Sequence, residues 1–262
     1  MTLLVTTKHS PEDQPRIAAR MMAYDHVHGE QVGFIEEPLN GEAAAKLQMA
    51  GGEFCGNACM ALAAYLAAER GLRHEDATDI VLEASGSDRF VVCQVRRSHE
   101  AYVCRVDMPI PRQIEQRAVR YEGEELLLAI VRYRDFLHVV LEVDQVDKSV
   151  RRKAKQLARL LGVALGTSLI GILLFKPDSH ELAPLIYVPS LDSMVWERGC
   201  GSGTASLGAY LAWKNKGAVA VPVKQPGGTI QVTADCERDK VTRLLIEGTV
   251  GIVAQGKAYI EA

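Results

Sequence analysis

The sequence lacks an excess of basic charge: 30 Lys and Arg stand against 33 Asp and Glu, a formal net charge of −3. A polyanionic partner such as nucleic acid therefore has no electrostatic footprint here. No apolar run approaches the roughly 18 residues that a membrane helix needs, and Met1 to Lys8 has neither the charged nor the apolar zone of a signal peptide. A soluble cytoplasmic protein without membrane association is expected. Cysteine is scarce as well, with six in 262 residues: Cys55, Cys59, Cys93, Cys104, Cys200 and Cys236. That is too few for a disulfide scaffold, and there is no CxxC. Cys55 and Cys59 are four apart, but no histidine or second cysteine pair follows at zinc-site spacing, so no metal site is expected. In a reducing cytoplasm these thiols stay free.

What is present is ordinary globular composition, 48% hydrophobic and 24% charged, and a length that suits two medium domains or one large one. An internal repeat organises it. Laying CGNACMALAAYLA (Cys55 to Ala67) on CGSGTASLGAYLA (Cys200 to Ala212) gives agreement at seven of thirteen positions. Each segment opens with Cys, Gly and a small polar residue. A Pro-free run of Ala, Leu and Tyr follows, and this predicts a helix starting at the cysteine. The flanks repeat too. Asp79 to Ala84, a Gly86 turn and Phe90 to Val95 match Ala218 to Lys224, a Pro226-Gly227-Gly228 turn and Thr229 to Thr233, as strand pairs.

Between the halves, Met108 to Arg112 carries two prolines and serves as a linker. Val150 to Leu161 is expected as a helix whose Lys and Arg form a solvated face. Strand-like runs at Leu126 to Val131, Leu137 to Val140, Ile170 to Phe175, Leu185 to Val188 and Arg243 to Ile246 complete an α+β reading. The expected domains are 1–112 and 113–250, with a closing strand at about 251–262 returning to the first.

A free cysteine is usually a small buried hydrophobe, and Cys59, Cys93, Cys104 and Cys236 are read that way. Cys55 and Cys200 differ, because the Gly and Asn or Ser after each suit close backbone approach rather than core filling. A helix N-terminus offers unpaired N–H groups and partial positive charge, which bind anions and favour thiolate. The dipole contributes about 0.3–1 kcal/mol, occasionally about 2, against about 1.36 kcal/mol per pKa unit. It moves a thiol by about one unit, so a further group must help. Glu197, three residues before Cys200, and Glu30, upstream of Cys55, are the candidate carboxylates, able to take a thiol proton or hold a substrate ammonium. As isolated glutamates both would be surface residues, and only the nearby cysteines single them out. Two opposed acid/base groups suit the racemisation of an amino acid, which removes a proton from one face of the α-carbon and returns one to the other. N–H donors at the two helix starts would stabilise charge building on the carboxylate. His138, in FLHVV, reads as an interior histidine or as one approaching the site; Trp196 and Phe54 read as pocket wall.

These features resemble the diaminopimelate epimerase superfamily of cofactor-independent racemases, over nearly the whole chain. GEQVGFIE (Gly29 to Glu36), GGEFCGNA (Gly51 to Ala58), PLIYVP (Pro184 to Pro189), VWERGCGSGTAS (Val195 to Ser206), KQPGG (Lys224 to Gly228) and GKAYIE (Gly256 to Glu261) are similar to histidine racemases of staphylopine-type metallophore biosynthesis. The resemblance implies conversion of L-histidine to D-histidine with no pyridoxal phosphate, other cofactor or metal. Its implied fold is two pseudo-symmetric α+β domains, each a mixed sheet wrapped on a central helix, with the active site in the cleft between them. It implies Cys55 and Cys200 as the catalytic pair, Glu30 and Glu197 as their acidic assistants, and Gly56, Asn57, Gly201 and Ser202 as the cradle for the substrate carboxylate. Members of the superfamily are often homodimers.

Two departures stand out. Relatives begin with an extra strand and an asparagine-containing loop before the segment matching Met1 to Lys8. In diaminopimelate epimerases the Glu and Arg pair sits further upstream of the second cysteine than Glu197 and Arg198 do here, which disfavours diaminopimelate as substrate. The competing readings are a racemase or epimerase of another amino acid such as diaminopimelate, a phenazine-type isomerase using one carboxylate, and a thiol redox or ligand-binding protein.

Overall fold

The computed structural model describes residues 1–189 and 192–260. Two units arise from chain contacts, Met1–Asp107 with Glu247–Ala262, and Met108–Ile246. The first contains β1 (Thr2–Val5), α1 (Gln14–Met22), β2 (Gln31–Glu36), β3 (Ala45–Met49), α2 (Gly56–Glu69), β4 (Ala77–Ala84), β5 (Val91–Ser98) and β6 (Ala101–Asp107). Strand order is β1-β2-β3-β4-β5-β6. The successive pairings run parallel, antiparallel, parallel, antiparallel and antiparallel.

The second unit begins with β7 (Gln113–Tyr121) and β8 (Glu124–Arg132). It continues with β9 (Leu137–Glu142), α3 (Lys148–Leu165), β10 (Ile170–Lys176), β11 (Glu181–Val188), β12 (Ser193–Trp196), α4 (Gly201–Asn215), β13 (Val219–Gln225), β14 (Gly228–Glu237) and the start of β15 (Lys240–Val250). Here β9-β10-β11-β13-β14 repeats the pattern of the first five strands: parallel, antiparallel, parallel, antiparallel. Helices fall at the same points, α1 and α3 after the first strand of each series, α2 and α4 before the fourth. The repeat seen in thirteen residues is thus a repeat of whole topology, β-α-β-β-α-β-β. The hairpin of β7 and β8, which pairs through β8 with β9, is added to the second unit, and β12 pairs with β11.

The central helices owe their place to being apolar all round. On α2, Gly56, Ala58, Cys59, Met60, Leu62, Ala63, Ala64 and Ala67 are buried, which leaves no amphipathic stripe, and such a helix must be surrounded. It packs against β1 to β6, as α4 packs against β8, β9, β10, β13 and β14. Small residues let the sheet close on the helix. Leu62, fully buried, contributes about 1.5–3 kcal/mol, whereas Ala63→Leu would overpack the same shell at a cost of about 1–3 kcal/mol. By contrast α3 is amphipathic, with Ala154, Leu157 and Ala158 inward. Asp147 caps it by accepting from Val150 N at 2.8 Å, and Gly166 ends it in the left-handed region (φ 59°). Its basic residues lie on the solvated side expected of them.

One expectation needs correction. Among the described residues the closing strand expected at about 251–262 is not formed: β15 runs from Lys240 to Val250, and residues 251–260 carry no strand, although Glu247–Ala262 groups with the first unit. Residues 251–259 are exposed and belong to no strand. The segment is held instead at its end, where Ile260 packs on the cluster of Ile17, Ala18, Val32 and Phe34 and His26 Nε2 lies 3.0 Å from the Tyr259 carbonyl. Glu261 of the GKAYIE motif lies outside the described residues. Among the described residues no helix is long and apolar enough to cross a membrane.

Candidate active site

The two helix-start cysteines are held by the same device. Cys55 is the N-cap of α2, extended at φ −130°, ψ 104°, and Cys59 N closes the first turn on its carbonyl at 3.0 Å. The loop before it is tied to the β4–β5 turn. Ser85 Oγ donates to the Glu53 carbonyl at 2.8 Å and accepts from Met49 N at 3.0 Å. Gly86, at φ +69°, lies so close that a Cβ there would sit 2.3 Å from Phe54 N. Cys200 is likewise the N-cap of α4 (φ −117°, ψ 107°), with Thr204 N on its carbonyl at 3.0 Å. Its loop is tied to the β13–β14 turn. Cys200 N donates to Gln225 Oε1 at 2.8 Å, and Gly227 N donates to the Arg198 carbonyl at 2.6 Å. A Cβ on Gly227 would lie 2.9 Å from that carbonyl oxygen. Gln225 also donates through Nε2 to Thr204 Oγ1 at 2.8 Å, which in turn donates to the Cys200 carbonyl at 2.7 Å.

The thiols themselves differ. Cys200 is buried, and its sulfur accepts from Gly203 N at 3.2 Å and lies 3.4 Å from Ser202 Oγ. Glu197, half-buried, shares a side-chain hydrogen bond with it. Burial first, then the Glu197 charge and that hydrogen bond, push the Cys200 thiol well above its usual value, outweighing Ser202 and Gly203. Cys200 therefore rests as a thiol beside a carboxylate able to take its proton. Cys55 is half-buried, and its Sγ donates to Gln31 Oε1 at 3.3 Å. Thr2 Oγ1 donates to the same oxygen at 3.2 Å. Glu30, one residue earlier, has its Oε2 3.5 Å from the Met1 amino group. A neutral amide thus meets Cys55 where a carboxylate meets Cys200.

Gly56 and Asn57 head α2, and Gly201 and Ser202 head α4. N–H groups in the first turn of a helix have no acceptor within it, and helix N-termini in general suit anions. His138 is fully buried on β9, with Nδ1 2.7 Å from Ser206 Oγ, to which Tyr133 Oη also approaches at 2.9 Å. Burial pushes it down to about 3, so it is a neutral interior histidine bracing the first turns of α4. Phe54 is buried, and Trp196 packs on the second unit's core with the Arg151 guanidinium carbon 4.4 Å from its ring centroid. Cys59, Cys93 and Cys104 are buried, and burial raises all three thiols, Cys104 to about 12. Among the described residues no group of three or more His, Cys, Asp and Glu could hold a metal ion.

Gln31, Thr2, Gln225 and Thr204 carry site geometry that the sequence reading did not assign. Gln31 and Gln225 lie inside the motifs GEQVGFIE and KQPGG, where an amide carries no charge to mark it as part of a site.

Comparison with known proteins shows the family. The family described as "Histidine racemase CntK N-terminal domain" matches residues 1–259. A histidine racemase of Staphylococcus aureus (strain Mu50) is 33% identical over 263 aligned positions, spanning 100% of this chain and 94% of that protein. One from Fusobacterium nucleatum subsp. nucleatum is 30% identical, spanning 94% of this chain and 88% of that protein. In fold, the chain is similar to a phenazine biosynthesis protein of the PhzF family from Bacillus anthracis. That match has a TM-score of 0.64 and 15% identity, over 92% of this chain and 87% of that one. A hydroxyproline epimerase from Agrobacterium vitis is similar too, with a TM-score of 0.62 and 12% identity, over 89% and 76%. With the repeated topology and a cysteine capping each central helix, these matches show that the chain belongs to the histidine racemase family, on an α+β fold of the diaminopimelate epimerase type.

Proposed function

We propose that this chain interconverts L- and D-histidine by a two-thiol mechanism, in which Cys55 and Cys200 exchange a proton with opposite faces of the substrate α-carbon. The observation that carries the proposal is the pair of helix-capping cysteines at equivalent points of one repeated topology. Racemisation needs two acid/base groups without stereochemical bias, and a duplicated half supplies one thiol each.

In this reading Glu197 takes the Cys200 proton, converting a buried thiol into the thiolate that attacks the α-hydrogen. The proton taken from the substrate then stays on that sulfur while the other thiol donates its own. Gly56, Asn57, Gly201 and Ser202 hold the substrate carboxylate, where negative charge builds as the α-proton leaves. Glu30 serves the Cys55 half, next in chain to the amide that touches the sulfur. Cys55 and Cys200 rest as free thiols in cytoplasm, and the working assembly is a homodimer. In this reading the D-histidine goes on into an opine-type metal chelator.

Incubation with L-histidine in deuterated water tests the proposal: D-histidine carrying α-deuterium is expected. Absence of α-exchange with histidine, alongside exchange with diaminopimelate or another amino acid, would overturn the substrate.

A further inference from the structure

Cys55 has a neighbour with properties no carboxylate shares. Gln31 opens β2, and its Oε1 accepts from two donors, Cys55 Sγ at 3.3 Å and Thr2 Oγ1 at 3.2 Å. Both Gln31 and Thr2 are half-buried. An amide end carries an acceptor on one side and a donor pair on the other. With Oε1 toward the sulfur it accepts from S–H; turned by half a revolution about its last bond, it presents Nε2 and donates to S⁻. Thr2 tolerates either state, because a hydroxyl donates to Oε1 or accepts from Nε2.

We propose that Gln31 is the positioning residue of the Cys55 thiol in both of its protonation states, with Thr2 as the pivot that keeps its amide in place. This rests on the two-thiol reading, in which Cys55 alternates between S–H and S⁻ during each turnover. A carboxylate at position 31 would accept from the thiol but repel the thiolate. An apolar side chain would hold neither. Gln31 therefore offers both forms of Cys55 a neutral hydrogen-bond partner, whereas Cys200 shares a hydrogen bond with Glu197.

Among the described residues, titratable groups close to Cys55 in the chain are Cys59, one turn along α2, and Glu53, two residues before it, while Glu30 precedes Gln31 and lies 3.5 Å from the Met1 amino group. Cys59 is fully buried, and burial holds its thiol protonated. It does not compete for the proton near neutral pH.

The test is alkylation of the full chain by iodoacetamide across about pH 6 to 10, read at the Cys55 and Cys200 peptides by mass spectrometry. Gln31→Glu is expected to raise the Cys55 midpoint by about one pH unit or more, since a like charge disfavours thiolate. The Cys200 midpoint should stay put, which also reports that the fold is intact. Gln31→Met, similar in shape but unable to hydrogen-bond, is expected to lower kcat about tenfold with KM within about twofold. An unchanged Cys55 midpoint in Gln31→Glu would overturn the proposal. Because alkylation needs no turnover, that result is separate from failure of the two-thiol reading, which would show as racemisation surviving in Cys55→Ser.

Discussion

The two half-sites share a topology, a helix cap and a turn that pins the cysteine loop, yet they surround their sulfurs differently. Cys200 is buried, accepts from Gly203 N and shares its proton with Glu197. Cys55 is half-buried and donates to the amide of Gln31, which Thr2 holds. Duplication fixes where a thiol stands, while the residue facing it decides how its proton is handled. Symmetry of position does not require symmetry of charge, because a racemase needs equal access to both enantiomers overall and not identical thiols.

The largest expected effect follows from removing either sulfur: Cys55→Ser and Cys200→Ser should each lower racemisation by roughly 10³-fold or more, since a hydroxyl is a far poorer acid/base at neutral pH. Chiral chromatography of the product measures it. Next comes Glu197→Gln, expected to lower kcat about 10²-fold and to steepen the dependence on alkaline pH, because the Cys200 thiol, raised by burial, then lacks its proton acceptor. Glu30→Gln should cost less than Glu197→Gln. An equal loss in the two would show the halves to be alike in charge after all.

A smaller effect concerns stability and separates the buried histidine from the thiols. The folded His138 pKa is depressed to about 3, below its unfolded value of about 6.5. Its contribution is therefore fully present above about pH 6.5 and is lost as pH falls toward about 3, at up to about 1.36 kcal/mol per pH unit. Chemical denaturation across that range should show the slope, and His138→Phe should remove it even though the variant is less stable at pH 7. On the alkaline side the sign is reversed. Cys59, Cys93, Cys104 and Cys200 are raised in the fold, so their stabilisation is full below about pH 8.5 and declines as the unfolded thiols ionise above it.

What the sequence made legible is what duplication wrote twice. The two Cys-Gly helix starts, the paired strands after them and the Gly86 and Gly227 turns repeat in composition as well as in place. α3 was readable from its amphipathic pattern and charge. Less was readable where one residue decides a face. Glu30 and Gln31 are neighbours at the start of β2, and a shift of one position along a strand exchanges its two sides, so residue type alone favours the carboxylate although the amide is the one that meets the Cys55 sulfur. The closing strand was misplaced because apolar residues at Ile252, Val253, Tyr259 and Ile260 suggest a ladder, whereas only Ile260 of these reaches a core. Gln225 and Thr204 were invisible as site residues because their work is hydrogen bonding to a loop carbonyl and a backbone N–H, and such geometry leaves no composition signal.

The measurement that bears most directly on the two-thiol account is α-hydrogen exchange in deuterated water, followed separately from L- and from D-histidine in Cys55→Ser and Cys200→Ser. The account predicts that neither variant racemises, and that each exchanges the α-hydrogen of one enantiomer only, with the two variants choosing opposite enantiomers. Racemisation persisting in either variant, or exchange of the same enantiomer by both, would contradict it.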